Sequence, residues 1–249
     1  MTRPIYNSEN QARYLKDVYL GSASGIAAVA VIKPQMYFKN ISQAPTQNTK
    51  FVMSPLVLYR GTGTFAASFI PTIAIQTLTN SIFSSTLSPL LAASAAGAAS
   101  AIIVCPAEGI LRQQEITGKN FKQAVCHMYS QKGSRAFHRG LLSTSIREGA
   151  FAGAYLGAVP VLKEKMKSSG FSETASQVSA GIISGTAAAI ISQPFDTYKT
   201  QVQSDLFKEV SLRGPFQKGA FLGLYWRISM MATATTIMPF AREKLNNLI

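Results

Sequence analysis

The stretch that decides the fold runs from Gly61 to Ala107 and reads GTGTFAASFIPTIAIQTLTNSIFSSTLSPLLAASAAGAASAIIVCPA. It contains no Asp, Glu, Lys or Arg. A membrane-spanning helix needs about 20 apolar residues, so the stretch has room for two spans and a short turn. Thr174–Phe195 is a second charge-free window with the length of one span. Three shorter apolar windows reach spanning length if charged side chains at their ends snorkel or face a wet interior: Val18–Ile32, Gly149–Leu162 and Ile228–Ala241.

The composition of the whole chain also favours a membrane protein. Charged residues make up 14% of the 249 residues, against about 25% in soluble domains. The net charge of +13 is also found in nucleic-acid-binding proteins, but here the basic residues are scattered and form no stripe along a helix. We therefore expect no nucleic-acid partner, and the positive charge favours an anionic solute and anionic lipid head groups.

The sequence offers little support for catalysis. His127 and His138 lack the spacing of metal ligands, and no phosphate-binding P-loop is present. Cys105 and Cys126 are too few for a disulfide framework. The first twenty residues lack the pattern of a secretory signal. We predict that the protein is not an enzyme and has no cofactor.

Three prolines, Pro34, Pro106 and Pro194, mark an internal repeat. Small residues precede each proline by thirteen and nine positions, a pattern that lets membrane helices approach closely: Gly21 and Gly25, Ala93 and Gly97, Gly181 and Gly185. A second marker is a residue with a ring side chain (Tyr, His or Phe) two positions before a glycine. It occurs as Tyr59-Arg60-Gly61, His138-Arg139-Gly140 and Phe221-Leu222-Gly223. We predict an all-α membrane protein whose six transmembrane helices form three repeats, at approximately 14–86, 87–168 and 169–249, within one domain over residues 1–249.

The residues after these prolines resemble the mitochondrial carrier family, whose signature is Pro-x-acid-x-x-base with Gln nine residues after the proline. Pro194-Phe195-Asp196-Thr197-Tyr198-Lys199 matches fully. The second repeat keeps Glu108 but has Leu111 in place of the base, and the first keeps Lys39 but has Met36 in place of the acid. The resemblance extends over nearly the whole chain. It implies a pseudo-threefold barrel with short matrix helices and a central cavity, and transport by alternating access across the inner mitochondrial membrane.

The resemblance also implies which charges close the matrix end. The expected ion pairs are Glu108–Lys199 and Asp196–Lys39, and the third pair becomes Met36 with Leu111. We expect these two apolar side chains to touch, because replacing both partners of a buried pair avoids an uncompensated charge. Random drift in the gate is an alternative. The residues nine positions after the prolines are expected to brace the gate: Gln43, Glu115 and Gln203.

The cytoplasmic end is expected to close less firmly. The positions of the family's second motif are occupied by Ser81 and Ser84, Pro160 and Lys163, and Glu243 and Asn246. No complete acid–base pair can be made from them in family order. We hypothesise that such a carrier returns empty more easily, so that uniport replaces strict exchange.

The solute contacts of the family align seven or eight residues after the three glycines. They correspond to Ser68, Arg147, Glu148 and Met230, and Arg227 lies one turn before Met230. An arginine within a span is costly and usually functional, so Arg147 is the main candidate for solute contact. The structural alternative is an ion pair with Glu148 or with another helix.

The class of solute is left open between several alternatives. Cavity arginines favour an anion, and the Leu20–Gly25 run resembles nucleotide-carrying members, so we expect a purine nucleotide such as ATP or ADP. The Arg147–Glu148 pair instead resembles amino-acid-carrying members, and a transport-dead membrane scaffold is a third alternative. We expect a monomer that binds membrane lipid, cardiolipin included. The mixed charge of Ala241–Ile249 is compatible with secretion of the carrier by a bacterium into a host, although a solvated helix end is the favoured interpretation.

Overall fold

The computed structural model describes residues 8–44 and 53–248, and within these ranges the secondary structure is helical. In chain order the helices are α1 (Ser8–Gln43), α2 (Pro55–Leu58), α3 (Thr62–Phe83), α4 (Pro89–Thr117), α5 (Phe121–Lys132), α6 (Leu141–Ala152), α7 (Val159–Ser168), α8 (Glu173–Ser204) and α9 (Leu224–Asn246). A π-helical segment, Gly153–Ala158, joins α6 to α7, so these three segments form one continuous rod. Short 3-10 segments lie at Gly133–His138 and Gly214–Phe216.

Six long rods close into a ring. These rods are α1, α3, α4, the α6–α7 rod, α8 and α9, and each packs against the next along the chain while α9 packs back against α1. Tyr14–Gln43, Pro89–Thr117 and Glu173–Ser204 are long and apolar enough to cross a membrane. The expectation of an all-helical protein is confirmed. The expected repeat boundaries fall in the connections at 84–88 and 169–172.

Small residues bring the two long helices of each repeat together. A side-chain carbon at Gly25 would lie 2.5 Å from the Phe69 ring on α3, and one at Gly185 would lie 2.6 Å from Thr235 on α9. At Gly97 the same carbon would lie 2.3 Å from the backbone oxygen of Glu148 on α6. The small-residue pattern found in the sequence therefore marks the faces at which α1, α4 and α8 contact their partner helices.

The three ring-x-Gly glycines begin α3, α6 and α9. Gly61, Gly140 and Gly223 have φ values of 74°, 76° and 71°, a left-handed conformation that glycine adopts without steric cost. Each lies against the first long helix of the next repeat: Gly61 beside Leu111, Gly140 beside Lys199, and Gly223 beside Lys39. The sequence marker thus fixes the point where one repeat meets the next.

The connecting segments differ more than the resemblance implied. In the second repeat α5 has a capping box between Asn120 and Gln123. In the third repeat the connection contains only the 3-10 segment Gly214–Phe216, where the Tyr198 ring lies so close that a side chain at Gly214 would collide with it. Pro215 lies in the first turn of this segment, where a proline is tolerated. In the first repeat the connection falls partly outside the described residues.

Gly97→Ala should destabilise the protein, because the added methyl group meets the backbone of α6 and the two helices must separate. Overpacking of this kind costs about 1–3 kcal/mol, and thermal unfolding in detergent measures it. The matched control is Gly63→Ala on α3, where nothing lies within 4 Å of the added carbon. We expect that change to be neutral or stabilising; an equal loss in both variants would contradict close packing at Gly97.

Candidate functional site

A central cavity lies between the six rods and has a volume of about 110 Å³. All five predicted solute contacts line it: Ser68, Arg147, Glu148, Arg227 and Met230. Lys39, Met36 and Glu108 of the predicted gate line it as well. Most of the remaining wall is apolar and aromatic, with Phe65, Phe69, Phe151, Tyr155 and Met238 among the lining residues. The cavity is smaller than the 300–1,000 Å³ typical of ligand pockets, so it suits a small solute in this state.

Two ion pairs between repeats lie at the end of the cavity where the C-terminal halves of α1, α4 and α8 meet, which we call the closed end. Lys39 Nζ lies 2.8 Å from Asp196 Oδ2 and joins α1 to α8. Lys199 Nζ lies 2.7 Å from Glu108 Oε2 and joins α8 to α4. These four side chains are the ones that the family signature pairs, and each is almost completely buried.

The two cavity arginines extend this network. Arg147 donates to both carboxylate oxygens of Glu108, at 2.9 and 2.7 Å, and also contacts Glu148. Arg227 Nη1 lies 2.9 Å from Asp196 Oδ1, and its Nη2 donates to Ser192 Oγ at 2.6 Å. Arg147 therefore has the geometry of a structural ion pair with Glu148 and with another helix, and it also lines the cavity.

The network contains one more cation than anion. Its cations are Lys39, Arg147, Lys199 and Arg227, and its carboxylates are Glu108, Glu148 and Asp196. Burying ions is costly unless they are paired and hydrogen-bonded, and each cation here contacts a carboxylate. Among the described residues, the Nε atoms of Arg147 and Arg227 have no hydrogen-bond partner. The two guanidinium groups therefore keep some capacity to bind an acceptor.

Met36 and Leu111 occupy the place of the third signature pair. Both belong to one buried apolar cluster, together with Met230 and Met231, and Phe65 packs against it. Leu111 is completely buried and Met36 nearly so. The signature positions on α1 and α4 are thus occupied by apolar residues of one buried cluster rather than by charges.

The three predicted gate braces have different partners. Gln43 donates to Asp196 Oδ2 at 2.7 Å and accepts from Thr200, so it contacts a gate carboxylate directly. Gln203 donates instead to the backbone oxygen of Cys105 at 3.2 Å. Glu115 forms a separate buried ion pair with Lys33 at 2.6 Å.

Lys33 and Arg112 are two buried charges that sequence reasoning missed. With Asn40 and Glu115 they form what we call the Glu115 cluster. Glu115 accepts from Lys33 at 2.6 Å and from Asn40 at 2.9 Å, and its second oxygen lies 3.4 Å from Arg112 Nη1. The available signal was a lysine directly before the first proline and an arginine directly after the vacant base position of the second repeat.

The opposite end of the barrel has fewer and more exposed ion pairs. Asp17 on α1 lies 2.5 Å from Arg242 on α9, and the two side chains are 37% and 35% exposed. Lys163 on α7 pairs with Glu173 on α8 at the surface. Of these residues only Lys163 occupies a position of the family's second motif. Within residues 8–44 and 53–248, no group of three or more His, Cys, Asp or Glu side chains is placed to hold a metal ion.

Asp196→Asn should be more destabilising than Lys39→Met. The first change leaves Lys39 and Arg227 as buried cations without their carboxylate, whereas after the second Asp196 keeps Arg227 at 2.9 Å. Removing one partner from a buried pair costs about 3–5 kcal/mol, and thermal unfolding of the two variants gives the comparison. A larger loss for Lys39→Met would contradict the shared role of Asp196.

Comparison with known proteins gives a consistent set of matches. The family model described as mitochondrial carrier protein matches residues 83–170. The bovine mitochondrial basic amino acids transporter is 26% identical over 217 residues, which are 76% of this chain and 73% of that protein. The mitochondrial citrate transporter B of Aspergillus niger is 29% identical over 154 residues, 57% of this chain and 53% of the relative.

A third relative carries a different solute. The human mitochondrial glycine transporter is 30% identical over 138 residues, 49% of this chain and 45% of that protein. The matched part thus spans about half the length of the citrate and glycine transporters. Together with the three proline signatures and the ring of six rods, these matches show that the chain belongs to the mitochondrial carrier family, whose members are membrane transporters and not enzymes.

Proposed function

We propose that this protein carries an amino acid across the inner mitochondrial membrane by alternating access through the central cavity. The observation that carries the proposal is the adjacent cation and anion, Arg147 and Glu148, in the cavity wall. Both Nη atoms of Arg147 donate to Glu108 in this state, and its Nε has no hydrogen-bond partner among the described residues. A solute carboxylate therefore binds at Nε or displaces Glu108, while Glu148 accepts from the solute's ammonium group. The pair therefore offers complementary charges to the two ends of a zwitterion.

The charge balance of the site favours an amino acid over a nucleotide. The network has four cations and three carboxylates, so one positive charge is in excess, but every cation already contacts a carboxylate. A purine nucleotide has several negative charges and needs a site with several free cations. The cavity volume of about 110 Å³ also favours the smaller solute. The purine nucleotide expected from the sequence is therefore the less favoured solute.

The relatives add independent support. Transporters of basic amino acids from cow, human, rat and mouse are 24–26% identical over 76–89% of this chain. Two of the three carrier types that we compared carry amino acids, and the third carries citrate. We therefore assign an amino acid to this chain as its class of solute. Which amino acid it carries has to be found by experiment.

Uptake into proteoliposomes tests the proposal directly. The purified full chain is reconstituted and offered labelled arginine, lysine, glycine, citrate and ATP in parallel. We expect uptake of at least one amino acid and little uptake of ATP. Uptake of ATP alone would restore the nucleotide assignment. A folded protein that takes up none of the solutes and shows no solute-dependent change in melting temperature would indicate a scaffold.

Glu148→Gln should reduce amino-acid uptake, because the ammonium group of the solute loses its anionic partner while the shape of the side chain is nearly unchanged. Hydrogen bonds to charged groups contribute about 1.5–3 kcal/mol, so we expect roughly a tenfold loss or more. Glu243→Gln, at an exposed position of α9, is the matched control and should leave uptake intact. Equal uptake by both variants would contradict a solute role for Glu148.

The end of the barrel opposite the closed end has few ion pairs, and this leads to a prediction about the mode of transport. Asp17–Arg242 is partly exposed, and exposed ion pairs contribute only about 0–1 kcal/mol. Closing and reopening this end without solute should therefore be easier than in a carrier with a complete set of buried pairs. We expect measurable net uptake into vesicles that contain no internal amino acid. A strict requirement for internal solute would show that the carrier works only by exchange.

A further inference from the structure

The family signature leaves one side of the closed end without an ion pair. Lys39–Asp196 joins α1 to α8, and Lys199–Glu108 joins α8 to α4. The third side, between α1 and α4, has Met36 and Leu111 at the signature positions. Charge at those positions therefore ties α8 to both neighbours but does not tie α1 to α4.

The Glu115 cluster joins these two helices. Glu115 stands at the signature's glutamine position in the second repeat, and its partners Lys33, Asn40 and Arg112 lie outside the signature. Lys33 of α1 lies 2.6 Å from Glu115 of α4, and Asn40 of α1 donates to the other oxygen of Glu115 at 2.9 Å. The polarity is reversed, because the signature would put the acid on the first repeat and the base on the second. Here the base is on α1 and the acid is on α4.

Arg112 connects the same cluster to the third helix. Its Nη2 donates to the backbone oxygen of Ala44 just after α1, at 3.0 Å, and its Nε donates to Ser204 Oγ at the end of α8, at 2.6 Å. Its Nη1 lies 3.4 Å from Glu115. One guanidinium group on α4 thus contacts the C-terminal ends of both α1 and α8, and moving these ends apart would break its bonds.

The position of the cluster argues against a role in solute binding. Among the described residues that line the central cavity, none belongs to the Glu115 cluster. The side chains of Lys33 and Glu115 are 0% and 1% exposed. Buried charges must be paired, and Lys33 of α1 has its carboxylate partner, Glu115, on α4. The cluster therefore acts between helices.

We propose that the Glu115 cluster is a second lock at the closed end, which replaces the lost Met36–Leu111 ion pair and must break in each transport cycle. The proposal rests on alternating access as described under Proposed function, but not on the identity of the solute. When the end opens, water reaches Lys33 and Glu115 and hydrates both ions, which offsets part of the lost pairing. A lock made of ions is therefore reversible.

A cavity cysteine reports opening without any transport assay. Ser68→Cys places the reporter in the cavity wall, and Cys105→Ala with Cys126→Ser removes the native thiols. A membrane-impermeant maleimide is applied to inverted inner-membrane vesicles, whose matrix face is outward, and to mitoplasts. In the parent we expect slow labelling in the inverted vesicles and faster labelling in mitoplasts.

The test variant is Lys33→Met with Glu115→Gln, which removes both charges and leaves neither one unpaired. Coupling between contacting residues corresponds to roughly 2- to 150-fold in an equilibrium constant, so we expect labelling in the inverted vesicles to rise about tenfold. Lys163→Met with Glu173→Gln removes an ion pair from the opposite end and is the matched control, expected to leave that rate unchanged. Lys33→Arg keeps the charge and should also leave it unchanged.

Each outcome decides the proposal. A folded double variant with the parent labelling rate overturns it, as does an equal rise in the control, which would indicate general loosening of the barrel. If the double variant does not fold, Arg112→Lys is measured in its place, because lysine cannot hold Ala44, Ser204 and Glu115 together; an unchanged rate there overturns the proposal too. Faster labelling without amino-acid uptake would support the lock and refute only the proposed solute.

Discussion

The burial of ions at the point where α1, α4 and α8 meet is the constraint on which the rest of the structure depends. Charges inside a barrel that is closed to water must be paired, because their hydration is lost and cannot be recovered from apolar neighbours. Asp196 illustrates this, since it contacts Lys39 at 2.8 Å and Arg227 at 2.9 Å and draws α1, α8 and α9 together. The prolines within α1, α4 and α8 lie just before these ions along the chain.

Close backbone contacts make this convergence possible. The small residues of α1, α4 and α8 lie against the second long helix of the same repeat, as Gly97 does against α6. The glycines that begin α3, α6 and α9 lie against the next repeat, as Gly140 does beside Lys199. Larger side chains at either set of positions would separate the helices and lengthen the distance between the paired ions.

The contacts between the three repeats at the closed end are made by different kinds of side chain. The α8 contacts keep the ion pairs of the signature, whereas the α1–α4 contact has Met36 and Leu111 in an apolar cluster and Lys33 with Glu115 in a reversed pair. In our proposal both parts close the same end, and the arginine and glutamate in the cavity bind the solute. In this proposal one set of buried charges both closes the end of the barrel and binds the solute.

The pairing expected for the signature residues came from the resemblance to the carrier family, whereas the sequence by itself determined the helical class and the proline pattern that occurs three times. These features depend on local patterns, namely charge-free length, the offset of small residues from each proline and the glycines that need a positive φ. The resemblance implied a short matrix helix in each connection, whereas the third connection has only the 3-10 segment Gly214–Phe216.

The tertiary structure alone decided which partner each remaining charge has. The sequence predicts that Arg147 contacts the solute or forms an ion pair, and the structure makes Glu108, 39 positions away in the chain, its bidentate partner. Lys33 and Glu115 are separated by 82 positions, and no local pattern connects them. A repeat specifies which helix faces approach each other. The partner of a long charged side chain depends on the exact depth and rotation of two packed helices, and these are set only when the whole ring closes.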